Sequence, residues 1–150
     1  MKQYIGTKII QAEPAYRVDG EVFVKANIVP CGVHTEDGYK VVYPDGYESW
    51  SPKDVFEAAY RETSGMNFGL AIEAAKMGKK IARAGWNGKN QYVELGHDFS
   101  YTAPSDIPVR PVQHLDIDSQ ALVFVGTRGR QVGWLASQAD MLADDWMIVE

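Results

Sequence analysis

The segment that decides the fold is Ala121-Leu122-Val123-Phe124-Val125, Gly126-Thr127-Arg128-Gly129-Arg130 and Gln131-Val132-Gly133-Trp134, with Ser137-Gln138-Ala139-Asp140 just behind. Two apolar runs around a glycine-bounded turn read as a β-hairpin, and a hairpin joins antiparallel strands. Ser137, three residues ahead of Asp140, is a capping-box pattern, so a short helix should follow. The same order occurs upstream. Tyr39-Lys40-Val41-Val42-Tyr43, Pro44-Asp45-Gly46 and Tyr47-Glu48-Ser49-Trp50 read as a hairpin, and Ser51-Pro52-Lys53-Asp54 as a serine cap with proline at the first helical position. Nothing else aligns between the two regions, so the echo reads as shared turn chemistry and not as a duplication. Hairpins trailed by short helices predict an α+β fold: small antiparallel sheets with short helices, in two packed modules.

A boundary is expected near Arg61-Glu62-Thr63-Ser64-Gly65, dividing a β-rich module (1–65) from a second domain (66–150). In the first module Lys8-Ile9-Ile10 and Glu21-Val22-Phe23-Val24 are further strand candidates. The second opens on a helix capped by Asn67, with Phe68, Ile72 and Ala75 at helical spacing, and ends at Gly78 before Lys79 and Lys80. Ile81-Ala82-Arg83 and Gln91-Tyr92-Val93-Glu94-Leu95 read as strands around the turn dipeptide Asn87-Gly88. His97 to Pro111 reads as a long loop, and Asp145-Trp146-Met147-Ile148-Val149 as a closing strand.

Composition narrows the function classes. The chain has 150 residues, 45% hydrophobic and 23% charged, as in an ordinary soluble protein. No apolar run approaches the roughly 20 residues that cross a bilayer, and Met1-Lys2-Gln3-Tyr4 does not open a secretory signal. The single cysteine, Cys31, fits a reducing cytosol and reads as a small buried residue. A net charge of −5 with no basic block argues against duplex nucleic acid. A small anionic ligand needs only one or two well-placed cations and stays admissible.

Two tryptophan-bearing segments carry the functional reading, Ala84 to Lys89 and Trp134 to Trp146. In the first, Trp86 offers a stacking face, Asn87 an amide for a base edge or sugar hydroxyl, and Arg83 or Lys89 a cation for phosphate. The plainer alternative is a hairpin turn with an indole over a core edge. In the second, the helix start at Ser137 and Gln138 suits a pyrophosphate, Trp134 lines a pocket and Asp140 accepts from ribose hydroxyls. Here the alternative is that Ser137 and Asp140 only cap the helix. Asp140, Asp144 and Asp145 suggest a metal-dependent phosphodiesterase weakly, since adjacent acids at a helix end diverge. His34, His97 and His114 show no ligand spacing, and no nucleophile–base pair is visible. Neither a cofactor nor a metal is expected. A protein-binding module, with the indoles under a partner, is the other rival.

At these residues a family becomes recognisable. Met66-Asn67-Phe68-Gly69-Leu70-Ala71-Ile72-Glu73-Ala74, Ala82-Arg83-Ala84-Gly85-Trp86-Asn87-Gly88-Lys89, and Trp134 through Trp146 resemble the second type of Thoeris anti-defence proteins of phages. The resemblance implies a non-enzymatic sponge, working in the host bacterial cytoplasm. It would hold cyclic ADP-ribose isomers made by bacterial TIR proteins, and some members are implied to hold CBASS cyclic oligonucleotides at a separate site. It further implies a homo-oligomer, typically a tetramer, with pockets between subunits that include Trp86, Asn87, Trp134, Ser137 and Asp140. Ala136 stands where many relatives carry proline, Asn90 where glycine or a small residue is common, and His97 to Gln120 does not align. Residues 1–65 resemble a short phage-associated module to which no activity is attached.

Overall fold

A computed structural model describes residues 1–25, 32–86, 90–97 and 120–150. The chain divides into two compact units, Met1–Arg61 and Glu62–Glu150, each built on its own antiparallel sheet. With three short helices, this is an α+β protein.

In the first unit, β1 (Gln11–Val18), β2 (Glu21–Val24), β3 (Glu36–Val42) and β4 (Glu48–Pro52) line up in the order β2-β1-β3-β4, and α1 (Lys53–Ala59) follows. The expected strand at Lys8-Ile9-Ile10 lies outside the sheet, and its place is taken by β1 just downstream. Two local features carry that shift. Asp19 and Gly20 both take positive φ, 47° and 90°, the tight turn that joins β1 to β2. Pro14 has no N–H, so where Lys25 N–H donates to its carbonyl at 3.0 Å the reciprocal bond is missing and β2 stops pairing.

Ser51 is not the cap of α1. It pairs with Tyr39 in the sheet, β4 runs on through Pro52, and Pro52 stands at the helix start without a side-chain cap. The ladder uses the backbone that the capping pattern had assigned to the helix. Helix α1 instead attaches through its rings: Phe56 stacks on Tyr39 at 4.1 Å, and Tyr60 on Phe56 at 4.9 Å. On the other face Trp50 lies across Gly38, where a Cβ would meet its ring at 2.7 Å and the Ser51 carbonyl at 2.3 Å. The Arg17 guanidinium covers that ring at 4.1 Å and is itself paired with Glu36.

The second unit holds α2 (Phe68–Lys76), β5 (Lys80–Arg83), β6 (Tyr92–Gly96), β7 (Ala121–Gly126), β8 (Gly129–Val132), α3 (Gln138–Met141) and β9 (Trp146–Val149). The sheet order is β8-β7-β6-β5-β9. Helix α2 begins as the sequence indicates, with Asn67 Oδ1 accepting from Leu70 N–H at 2.9 Å. It ends at Gly78, φ 81°, where Gly78 N–H reaches the Ala75 carbonyl and Lys79 N–H the Ala74 carbonyl. Its alanines, Ala71, Ala74 and Ala75, are buried against Ile81, Val93 and Trp146 on one face of the sheet. Asn90 takes φ 56°, a left-handed value that asparagine tolerates.

The β7–β8 hairpin turns more tightly than its sequence suggested. Gly126 pairs with Gly129, leaving Thr127 and Arg128 as the turn. Strand β8 ends at Val132, short of Trp134. Beyond it Gly133 and Trp134 both donate to the Leu122 carbonyl, at 3.0 and 2.9 Å, and Gly133 takes φ 80°. Two residues therefore oppose one, a β-bulge with glycine in the left-handed position. In an unbroken ladder Trp134 would share the face of the half-exposed Val132. The extra residue turns it to the opposite face, onto the core.

Candidate functional site

Three tryptophans from distant parts of the second unit meet on one side of the sheet. Trp146, the first residue of β9, is fully buried, and its Nε1–H donates to the Asp140 carbonyl at 2.9 Å. Trp86 follows β5 and Trp134 follows the bulge; both are half-buried. Ring centroids lie 5.5 Å apart for Trp86–Trp146, 6.0 Å for Trp86–Trp134 and 6.2 Å for Trp134–Trp146, all edge-to-face. Phe124 adds a fourth ring 5.5 Å from Trp86. Edge-to-face pairs contribute about 0.5–1.5 kcal/mol each beyond area burial, so the cluster fixes its members against one another.

A charged network closes over this cluster. Arg83 Nε donates to Asp145 Oδ1 at 2.8 Å and Nη2 to Asp145 Oδ2 at 3.4 Å. On its other side Nη1 donates to Asp140 Oδ1 at 3.0 Å and to the Ala139 carbonyl at 3.3 Å. The guanidinium thus ties the end of β5 to α3 and to the residue that precedes β9. Asp145 also binds the chain beside Arg83: its Oδ2 accepts from Gly85 N–H at 3.1 Å and its carbonyl from Ala84 N–H at 3.0 Å.

Ser137 and Asp140 form the full capping box foreseen in the sequence. Ser137 Oγ accepts from Asp140 N–H at 3.1 Å and donates to Asp140 Oδ2 at 2.7 Å, while Ser137 N–H donates to that oxygen at 3.1 Å. Burial alone would push the Asp140 carboxyl up. Bonds from the Ser137 hydroxyl, Arg83, the Ser137 N–H and the Trp86 side chain outweigh it and hold the acid below its ordinary range. Asp145 is held low chiefly by its bond from Arg83, against some desolvation, and the two carboxylates raise Arg83 in turn.

Of the expected site residues, then, Arg83, Trp86, Trp134, Ser137 and Asp140 converge, and Gln138 is exposed in the first turn of α3. Asn87 and Lys89, like the Asn87-Gly88 turn, Cys31, His114 and most of the His97–Pro111 loop, lie outside the described residues. Among the described residues no three His, Cys, Asp or Glu side chains are grouped to hold a metal. Sequence reasoning missed Asp145 as a partner of Arg83, Phe124 and Trp146 as members of the cluster, and Gly133 as the residue that turns Trp134 inward. Only Gly133 carried a local sign, a glycine at a strand end.

The class is a small α+β domain organised around an indole cluster beneath an Arg–Asp network. Residues 66–149 match the model of the Thoeris anti-defense 2-like domain, and the chain belongs to that family. Among its relatives, Thoeris anti-defense 2 of Bacillus phage SP01 is 35% identical over 91 residues, covering 56% of this chain and 94% of the relative.

Proposed function

We propose that this chain is a phage anti-defence protein that binds and sequesters a cyclic ADP-ribose-type immune signal without cleaving it, so that the Thoeris effector stays silent. Family membership and the half-buried pair Trp86 and Trp134 support the reading. The second is the observation that carries it: two indoles are braced on a buried third, at the mouth of a short helix. Trp86 stacks on the purine, Asn87 and Gln138 read polar groups, and Lys89 with the first-turn amides of α3 meets the pyrophosphate. Arg83 and Asp140 are engaged with each other, and contribute by holding the pocket wall. Such a ligand has about 35 heavy atoms. At roughly 0.3 kcal/mol per atom this allows about 10 kcal/mol, a dissociation constant of tens of nanomolar. No bond in the signal has to break.

The working form is a homo-oligomer, a tetramer with pockets between subunits, acting in the host bacterial cytoplasm. This part of the proposal rests on the family resemblance. A separate site for CBASS cyclic oligonucleotides belongs to the same proposal. The test is to mix protein with the TIR product, heat the complex and recover the signal. Intact ligand supports sequestration, and a turned-over product refutes it. Calorimetry on Trp86→Ala should show a loss of about 1–3 kcal/mol in binding; unchanged affinity removes the stacking role.

One observation favours a second reading. Leu135 and Leu142 flank α3 at 89% and 79% exposure, which suits a docked protein. That reading predicts co-purification of a host protein and no heat release with the TIR product.

A further inference from the structure

The weak sequence reading of Asp145 made it a metal ligand; its geometry gives it a different task. Its carboxylate grips Arg83 through two donors and Gly85 through the backbone N–H, and its carbonyl takes Ala84 N–H. Arg83 at the end of β5 and the two loop residues after it are thereby held from one side chain and one carbonyl. Trp86 is next along the chain, and its own N–H closes the turn on the Arg83 carbonyl at 3.2 Å. Gly85 leaves room for this grip, since a Cβ there would stand 3.3 Å from Asp145 Oδ2. Asp145 also directly precedes Trp146, the buried ring against which Trp86 is set at 5.5 Å. The loop that carries the half-buried indole and the strand that carries the buried one are thus fastened at one residue.

We infer that Asp145 is a positioning residue for the ligand site: through Arg83 and the Gly85 N–H it fixes the pose of Trp86 against Trp134 and Trp146, without itself touching the signal. The ligand half of this inference rests on the proposed sequestering function; the geometric half does not. Asn in place of Asp keeps the shape and one acceptor but loses the charge that holds Arg83. Small displacements of an oriented group carry large penalties, so Asp145→Asn should weaken signal binding about tenfold or more.

The experiment pairs two readouts on the full chain. Near-ultraviolet circular dichroism without ligand reports the coupled indoles, and calorimetry with the TIR product reports binding. Asp145→Asn should alter the indole signal while the far-ultraviolet spectrum stays native, and Asp145→Glu, which restores a carboxylate, should recover part of it. In a Trp86→Phe background the same Asp145→Asn change should leave the near-ultraviolet spectrum almost unmoved, because the reporter it acts through is gone. A folded Asp145→Asn protein with a wild-type indole signal overturns the inference, as does an equal change with and without Trp86. If Asp145→Asn does not fold, Asp145→Glu carries the same comparison across both backgrounds. A wild-type protein that releases no heat with the TIR product, yet shows the Trp86-dependent spectral change, sinks the proposed function and leaves the clamp standing.

Discussion

Gly133 is the position at which one backbone angle decides where an indole goes. Its φ of 80° belongs to the left-handed region, and nothing lies within 4 Å of the place a Cβ would take. Alanine there meets no steric obstacle, so its cost is conformational alone. A non-glycine residue in that region costs about 1–2 kcal/mol. Restricting the unfolded chain returns about 0.4–1 kcal/mol, leaving a net loss of about 1 kcal/mol. For a domain of this size that lowers Tm by roughly 4–8 °C. Asparagine, which visits the left-handed region more readily, should lose less. Deleting Gly133 is the control for register. It removes the extra residue and restores a regular ladder in which the indole, now directly after Val132 and opposite Leu122, keeps the core face. Thermal melts followed by near-ultraviolet circular dichroism measure both effects. If Gly133→Ala melts at or above the wild-type temperature, or if the deletion folds but loses the indole signal, the account of the bulge is wrong.

Trp146→Phe removes the bond to the Asp140 carbonyl and part of a fully buried ring. The expected loss is about 2–4 kcal/mol in a denaturant titration of the second unit, and a loss under about 0.5 kcal/mol would contradict its place at the centre of the cluster. Acid should weaken the same unit in a defined way. Asp140 and Asp145 titrate below their ordinary value of 3.8 in the folded protein, so their contribution is complete above the normal carboxylate range and fades as pH falls through the lowered values. The melting temperature of Asp145→Asn should accordingly depend less on pH between about 5 and 2 than that of the wild type; parallel curves would count against the network. Gly38→Ala drives a Cβ into the Ser51 carbonyl and the Trp50 ring. The first unit should lose about 1–3 kcal/mol by overpacking, and a melting curve identical to wild type would show that the ring does not lie there.

What could be read in the sequence was whatever neighbouring residues decide among themselves. Asn67 and Gly78 bound α2 because caps act within one helical turn, and Ser137 with Asp140 form their box for the same reason. The matching Ser51 pattern failed because a competitor outside the local window, the pairing of Ser51 with Tyr39, claimed the backbone first. Strand β1 escaped notice because Gln11-Ala12-Glu13-Pro14 lacks branched apolar residues. It owes its place to two neighbours, β2 and β3, and only the Asp19-Gly20 turn marked it locally. At the candidate site the residue types were legible and the partners were not. Arg83 and Asp145 lie 62 positions apart and face each other because Arg83 and Trp146 are in register across β5 and β9. Such pairings follow from sheet topology, which a reading confined to one segment at a time does not contain.

The last strand is fastened on both flanks. On one side it pairs with β5; on the other, Trp146 exchanges backbone bonds with Met66 at 2.7 and 3.0 Å, and Ile148 N–H reaches the Thr63 carbonyl at 2.9 Å. Residues 63–66 are also where the chain arrives from the first unit. A pull along that tether is therefore delivered in shear to the backbone of the very residue whose indole anchors the other two rings.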